Sequence, residues 1–440
     1  MMTVSEHIHQ KTITVEQALA LVRSDDHIVT GIAASVGRLF LENLHTIAER
    51  VTQVTVSSCL LLGNYPFLEP RYASSFQSES WFYSPELRKA QANGNVSFIP
   101  NHLHMVAIKR LAHVKPNIYV GIASTPDKHG YVSLSLSNTY ERRMLEAADT
   151  VILEVSDQFP RTFGDVEVHL DAIDHLIPVD YAPTTLADTV PNAKDQIIGQ
   201  LIADQIHDGD CLQLGIGGIP NAVAAALTHK KNLGIHTEML SSGLMNLVRC
   251  GAVNGSQKNQ HKGKVVTTFV LGPPALYEWV DNNPAIAVLD GRYVNDPAVI
   301  AQNDNQVSIN TTIEVDLVGQ CCSESMGHIQ FSGTGGQADT AIGAVKAKNG
   351  RSFIALYSTA RVRNPVTGQR ETISKIVPTL KPGAIVSLSR NDVDHVVTEY
   401  GSVCLRGTTV KERVELLISI AHPDFRDHLT TQAREMGFIQ

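Results

Sequence analysis

The sequence predicts an α/β protein made of two related, open, mostly parallel domains, and three observations carry that expectation. Strand-length runs of β-branched residues alternate with helical patterns all along the chain, at 54–58, 118–123 and 151–155, then at 235–240, 265–270, 286–289 and 353–357. The chain also echoes itself. Asp26-His-Ile-Val-Thr-Gly31 and Asp210-Cys-Leu-Gln-Leu-Gly215 each run from an acidic turn through a short apolar strand into small residues. Later, Ala172-Ile-Asp174-His175-Leu-Ile177 is answered by Asp392-Val-Asp394-His395-Val-Val397. Finally, 440 residues exceed one ordinary core.

Each element follows from these marks. Strands alternating with helices imply a sheet covered on both faces, which is why its strands read as continuous apolar runs. The Pro-bearing stretch Tyr181-Ala-Pro-Thr-Thr-Leu186 supplies a joint near 180–195. The expected domains are therefore 1–185 and 186–440, the second carrying Glu238. The C-terminal half ends in a helix opened by the capping-box spacing Thr409-x-x-Glu412. It continues through Val414, Leu417, Ile418 and Ala421 and stops at His422-Pro423.

Composition narrows the function. With 43% hydrophobic and 18% charged residues the chain is globular. A net charge of -8 speaks against a nucleic-acid surface, though it leaves room for a local positive pocket around a small anion. No stretch has the length and purity of a membrane span, since 265–276 is broken by Thr, Gly and Pro, and the N-terminus shows no secretion pattern. Six scattered cysteines without a C-x-x-C suggest a reducing, cytoplasmic setting and no metal site. Cys321 and Cys322 read as core residues. His102-x-His104 reads as a surface or structural pair.

Three places could carry chemistry. Glu238, in Ile235-His-Thr-Glu238-Met-Leu-Ser-Ser-Gly243, has no acidic twin: the matching place in the first half reads Gln53-Val-Thr-Val56. A Glu at a strand end is either a solvated edge residue or a placed carboxylate. The turn Gly215-Ile216-Gly217-Gly218-Ile219-Pro220 puts flexible backbone between a strand and a helix start. Missing side chains allow close approach there, and free N–H groups favour an anion or an oxyanion. Pro220 costs nothing in a first helical turn. The turn is not the dinucleotide pattern G-x-G-x-x-G, and tight packing would explain it equally. The third place is Ser332-Gly-Thr-Gly335-Gly336-Gln337, with the basic set Lys346, Lys348, Arg351, Arg361 and Arg363 beyond it.

These residues resemble those of the 4-hydroxybutyrate CoA-transferase and acetyl-CoA hydrolase/transferase group, nearly end to end. The stretches that carry the likeness are Gln158-Phe-Pro-Arg-Thr-Phe-Gly-Asp165, Gln213-Leu-Gly-Ile-Gly-Gly-Ile-Pro-Asn221, Tyr293-Val-Asn-Asp-Pro297, Glu314-Val-Asp-Leu317, Ser332-Gly-Thr-Gly-Gly-Gln337, Ser374-Lys-Ile-Val-Pro378, Thr398-Glu-Tyr-Gly401 and His422-Pro-Asp-Phe-Arg426. The resemblance implies two open α/β domains with the active site in the cleft between them. It places Glu238 on the catalytic glutamate, Asn295 and the Gly336 amide facing the acyl oxygen, and Gln213 beside the pocket. Residues 215–219 and Gly335 would touch CoA, and Arg361 stands where many relatives carry a CoA-reaching lysine. Arg161 and Asp165 would brace the first domain. Two departures bear on the acyl preference. Ile32 replaces a common His, and Thr340 replaces a common hydrophobe.

The implied chemistry is ping-pong transfer through an acyl-glutamyl anhydride and a glutamyl-CoA thioester. It needs no metal and no tightly bound cofactor. Acyl-CoA and a short-chain carboxylate such as acetate, butyrate or 4-hydroxybutyrate are the expected partners, with no nucleic acid or membrane, and a homodimer or larger assembly. A thioester hydrolase using the same glutamate, a non-catalytic CoA-binding module and a sugar-phosphate isomerase are the other readings.

Overall fold

In the computed structural model, which describes residues 3–363 and 368–440, each half of the chain builds one large sheet. The first contains β1 (His27–Thr30), β2 (Val54–Ser58), β3 (Phe76–Ser80), β4 (Val96–Phe98), β5 (Ile118–Ser124), β6 (Thr150–Ser156) and β7 (His175–Pro178). Their order is β4-β3-β2-β1-β5-β6-β7, and every neighbouring pair is parallel. The second contains β8 (Cys211–Leu214), β9 (Gly234–Ile235), β10 (Gln306–Thr311), β11 (Arg351–Ala355), β12 (His395–Thr398) and β13 (Gly401–Cys404). Its order is β9-β8-β10-β11-β12-β13, parallel except for the last pair.

The duplication is legible in these orders: β2-β1-β5-β6-β7 of one sheet matches β9-β8-β10-β11-β12 of the other. The echoed acids do the same work in both. Asp26 Oδ2 accepts the Arg23 N–H at 2.7 Å and Asp210 Oδ2 the His207 N–H at 2.7 Å, each closing the turn before the first strand. Asp174 accepts from Val151 N (2.8 Å) and Asp394 from Ser352 N (3.0 Å), both the second residue of the neighbouring strand. Sequence identity at these points therefore reflects backbone amides that a strand start would otherwise leave unpaired.

β5 is buried along its whole length, as a strand covered on both faces must be. Phe40, Phe67, Phe76 and Tyr83 fill the core over the first sheet, and Ile354, Val396 and Leu417 the core over the second. The Thr409 capping box is present, with both reciprocal bonds, on the helix Val410–Ser419. The break at His422-Pro423 is real but not terminal. Pro423 opens a further helix, Pro423–Glu435, where its missing N–H is harmless. Among the described residues no helix is long and apolar enough to cross a membrane.

Two expected strands are broken. Residues 235–240 split into β9 and the pair Met239–Leu240, which joins a different sheet with Phe269–Val270. Residues 265–270 split likewise into Val265–Thr267, paired with Ile286–Val288, and Phe269–Val270. The domain boundary changes with them. Met1–Ala187, Glu238–Ser242 and Val265–Asn295 pack as one unit, and Asp188–Thr237, Gly243–Lys264 and Asp296–Gln440 as the other. Glu238, expected in the second domain, thus belongs to the first. The cause is long-range pairing: Phe269 bridges Ser137, Val270 N donates to Leu136 O at 2.8 Å, and Val288 bridges Gly164.

Candidate active site

Glu238 sits at the break between the two short strands, and its side chain is half-buried. Its carbonyl accepts from Thr268 N (3.0 Å), Phe269 N (3.2 Å) and Thr267 Oγ1 (3.0 Å). That concentration of donors on one oxygen interrupts a regular ladder and pins the residue by its backbone. The Glu238 Oε2 accepts from Asn295 Nδ2 at 2.7 Å.

Asn295 is fully buried, and several motifs of the chain converge to place it. Asp290 caps the turn of helix Gly291–Val294, and its own N–H is held by Asp165 Oδ2 at 3.0 Å. Gly291 is required by space: a Cβ there would lie 2.4 Å from the Thr139 carbonyl. Gly164 is equally constrained, with a Cβ falling 2.3 Å from Val288 O at a φ of +133°. Asn295 N then closes on Gly291 O at 3.0 Å. The Phe-Gly-Asp165 and Tyr-Val-Asn295 stretches are therefore one device. Arg161 braces the same region, pairing with Asp127 at 2.8 Å and donating its backbone N–H to Asp281 at 2.7 Å.

One neighbour was not foreseen. Burial, then the charges of Glu238 and Glu141, push the Cys59 thiol well above its usual range. The strand registers pair His27 with Thr55 and Cys211 with Gly234, so the counterpart of Glu238 is Cys59 and not Val56. The count was misled because Gly31 to Cys59 spans 28 positions and Gly215 to Glu238 only 23.

The remaining candidates belong to the second unit. Gly217 has φ +115° and precedes helix Gly218–Ala226 without a side-chain cap. Among the described residues the N–H groups of Ile216, Gly217, Gly218 and Ile219 donate to no protein acceptor, which makes the turn a ready anion cradle. Beneath it lies Asp195, held by Asn192 N (2.9 Å) and Tyr357 Oη (2.6 Å). A Cβ on Gly218 would fall 2.3 Å from Asp195 Oδ2. Gly218→Ala is expected to displace the turn and lower the thermal midpoint by several degrees, measured by circular dichroism. An unchanged midpoint would show that the turn gives way around the added Cβ.

Gly335 has φ +53°, and Gly336 precedes helix Gln337–Lys346 with an N–H that meets no acceptor among the described residues. Gln213 lies in a buried amide cluster: its Oε1 accepts from Ser308 Oγ (2.8 Å), Ile309 N (3.2 Å) and Asn310 Nδ2 (3.3 Å). Thr340 completes that cluster through Ser308 and Asn310, both at 3.0 Å, so the departure at this position trades an apolar contact for a hydroxyl. Arg361 is exposed on the strand Thr359–Arg363. The basic set around it is not one patch. Arg351 stands at the start of β11, where it pairs with Asp210. Cys321 and Cys322 are core residues with no exposed surface. His102 and His104 stack with ring centroids 6.3 Å apart.

Likeness over nearly the whole chain makes this an enzyme of CoA transfer. The chain belongs to the acetyl-CoA hydrolase/transferase family: residues 2–188 match its N-terminal domain and residues 272–433 its C-terminal domain. It is 43% identical over 430 residues to the succinyl-CoA:cyclohexane-1-carboxylate CoA transferase of Geobacter metallireducens, covering 98% of this chain and 96% of that one. It is 37% identical over 427 residues to the 4-hydroxybutyrate coenzyme A transferase of Clostridium kluyveri, covering 97% and 98%. Among solved structures it superposes on RipA from Yersinia pestis with TM-score 0.92 at 32% identity over the whole of both chains. The 4-hydroxybutyrate CoA-transferase of Porphyromonas gingivalis matches with TM-score 0.81 at 35% identity, over 98% and 99%.

Proposed function

We propose that this enzyme moves CoA between short-chain carboxylic acids, acetate, butyrate and 4-hydroxybutyrate among them, through covalent intermediates on Glu238. The supporting observation is the 2.7 Å bond from the Asn295 amide to a carboxylate whose backbone is held by three donors. Such a group is aimed and has little freedom to lose on reaction.

The steps balance without an added reagent. A Glu238 oxygen attacks the acyl carbonyl carbon, the C–S bond breaks, and CoA leaves as thiolate, giving an acyl-glutamyl anhydride. The thiolate then attacks the Glu238 carboxyl carbon and expels the acyl group as a free carboxylate, leaving a glutamyl-CoA thioester. An acceptor carboxylate reverses both steps and departs as its CoA thioester. Each addition places negative charge on a carbonyl oxygen, where a fixed N–H donor is worth about 3 kcal/mol. Asn295 Nδ2 and the Gly336 N–H would serve as those donors. Residues 215–219, Gly335 and Arg361 would hold CoA, and Gln213 would keep its surroundings rigid. The same reading carries a cytoplasmic homo-oligomer, dimer or larger, which light scattering after gel filtration measures.

The test is incubation with acyl-CoA, borohydride reduction and peptide mapping. Reduction confined to Glu238 and dependent on acyl-CoA is expected. Unmodified Glu238 would leave only a CoA-binding module. Hydrolysis by the same intermediates, the activity named for a 30% identical relative from Kluyveromyces lactis, is separated by comparing turnover with and without an acceptor acid.

A further inference from the structure

The duplication places two equivalent turns in the chain, and they treat their amides differently. With Asp26 matched to Asp210, Gly31, Ile32 and Ala33 correspond to Gly215, Ile216 and Gly217, and the third residue has positive φ in both, +50° at Ala33 and +115° at Gly217. A non-glycine residue in that region is strained and persists only where its surroundings impose it. In the second unit the amides of Ile216 and Gly217 have no protein acceptor among the described residues. In the first unit they are filled from within. Ile32 N donates to Glu141 Oε1 at 2.9 Å, and Ala33 N donates to Cys59 O at 3.3 Å.

Glu141 is 1% exposed, and its partners are uncharged: Ile32 N, Tyr140 N at 2.9 Å and Ser137 Oγ at 2.7 Å. Among the described ion pairs no cation reaches it. A buried carboxylate without a counter-charge is costly unless donors saturate it, so its presence calls for a reason beyond packing. It bears on Glu238 by two routes. Through Ile32 and Ala33 it holds the loop bonded to Cys59, whose thiol senses the Glu238 charge. Through Ser137 it holds the segment that bridges Phe269 and donates Asn138 N to Thr268 O at 2.8 Å. Thr268 and Phe269 are the residues whose amides pin the Glu238 carbonyl.

We propose that Glu141 is a positioning residue for the transfer reaction: a built-in carboxylate that occupies the amide turn after β1 and thereby fixes both segments that orient Glu238. This rests on the reading of Glu238 as the nucleophile.

The test is Glu141→Gln in the full chain. The amide keeps the shape but turns one acceptor into a donor facing other donors. The expected result is a fall in kcat of about tenfold or more, with the half-saturating acyl-CoA changed less than about twofold and the rate of Glu238–CoA thioester formation falling with kcat. Ser137→Ala, which removes the hydroxyl that donates to Glu141 and also releases the weaker 3.3 Å contacts with Thr139, is a milder change and is expected to show the same pattern at about two- to fivefold. A folded Glu141→Gln protein with native kcat, a loss carried wholly by acyl-CoA half-saturation, or a Ser137→Ala protein at the native rate overturns the proposal. A native enzyme that forms no Glu238 adduct would instead remove the reading beneath it.

Discussion

Glu238→Ala is expected to lower CoA exchange by about 10⁴-fold or more, since removal of a covalent nucleophile leaves only what binding supplies. The fold should survive, because the interactions that order this segment use the Glu238 backbone. Thr267 Oγ1, Thr268 N and Phe269 N all bond to its carbonyl, and Asn295 bonds to the carboxylate. A thermal midpoint near the native one, together with absent exchange between a donor acyl-CoA and an acceptor acid, is the predicted pair of results. Glu238→Asp retains the chemistry but withdraws the oxygen by one methylene from Asn295, so partial activity is expected there. Exchange at the native rate in the alanine protein would end the proposed mechanism.

Asp394→Ala is expected to destabilise the protein by about 3 kcal/mol without altering the transfer chemistry. Its carboxylate is 1% exposed and accepts from Arg406 Nε (2.9 Å), Arg406 Nη2 (2.7 Å) and Ser352 N (3.0 Å), with His395 Nδ1 at 3.2 Å. Truncation strands the Ser352 amide at the start of β11, where water cannot replace the lost acceptor. Burial works against this charge, but the bonds from His395, Arg406 and Ser352 outweigh it and hold the carboxyl at about 2. Its folded value lies below the unfolded one, so the contribution is present above roughly pH 4 and is lost as pH falls toward 2. Acid unfolding monitored by circular dichroism should therefore begin at higher pH in Asp394→Asn, and coincident curves would show that Asp394 carries no such linkage.

Much of the fold could be read from residues because it is local or repeated. The β-branched runs marked β2 at its observed bounds, and the Asp26/Asp210 and Asp174/Asp394 echoes marked strand starts whose amides need an acceptor. What could not be read depends on partners far away in the chain. Nothing near Glu238 announces that its carbonyl takes three donors, or that Phe269 pairs with a segment more than a hundred residues earlier, so a single strand was expected where two exist. Glu238 stands out by asymmetry between the halves, yet its counterpart is Cys59 rather than Val56 because the two connections differ in length. Asn295 came only from family likeness; its reason, the stack of Asp165, Asp290 and Gly291, is visible only in three dimensions. Glu141 had no sequence signal, since an acid at a helix start is ordinarily a solvated residue.

The return of residues 238–242 and 265–295 to the first unit has a consequence for how such a gene can be rearranged. Cutting after residue 187 would yield one fragment with its seven-stranded sheet but no mates for Leu136, Ser137 and Gly164. The other fragment would carry both excursions with nothing to dock against. Recombination between relatives must therefore exchange both excursions as a set, or else Glu238 would arrive in a chimera without the framework that holds it.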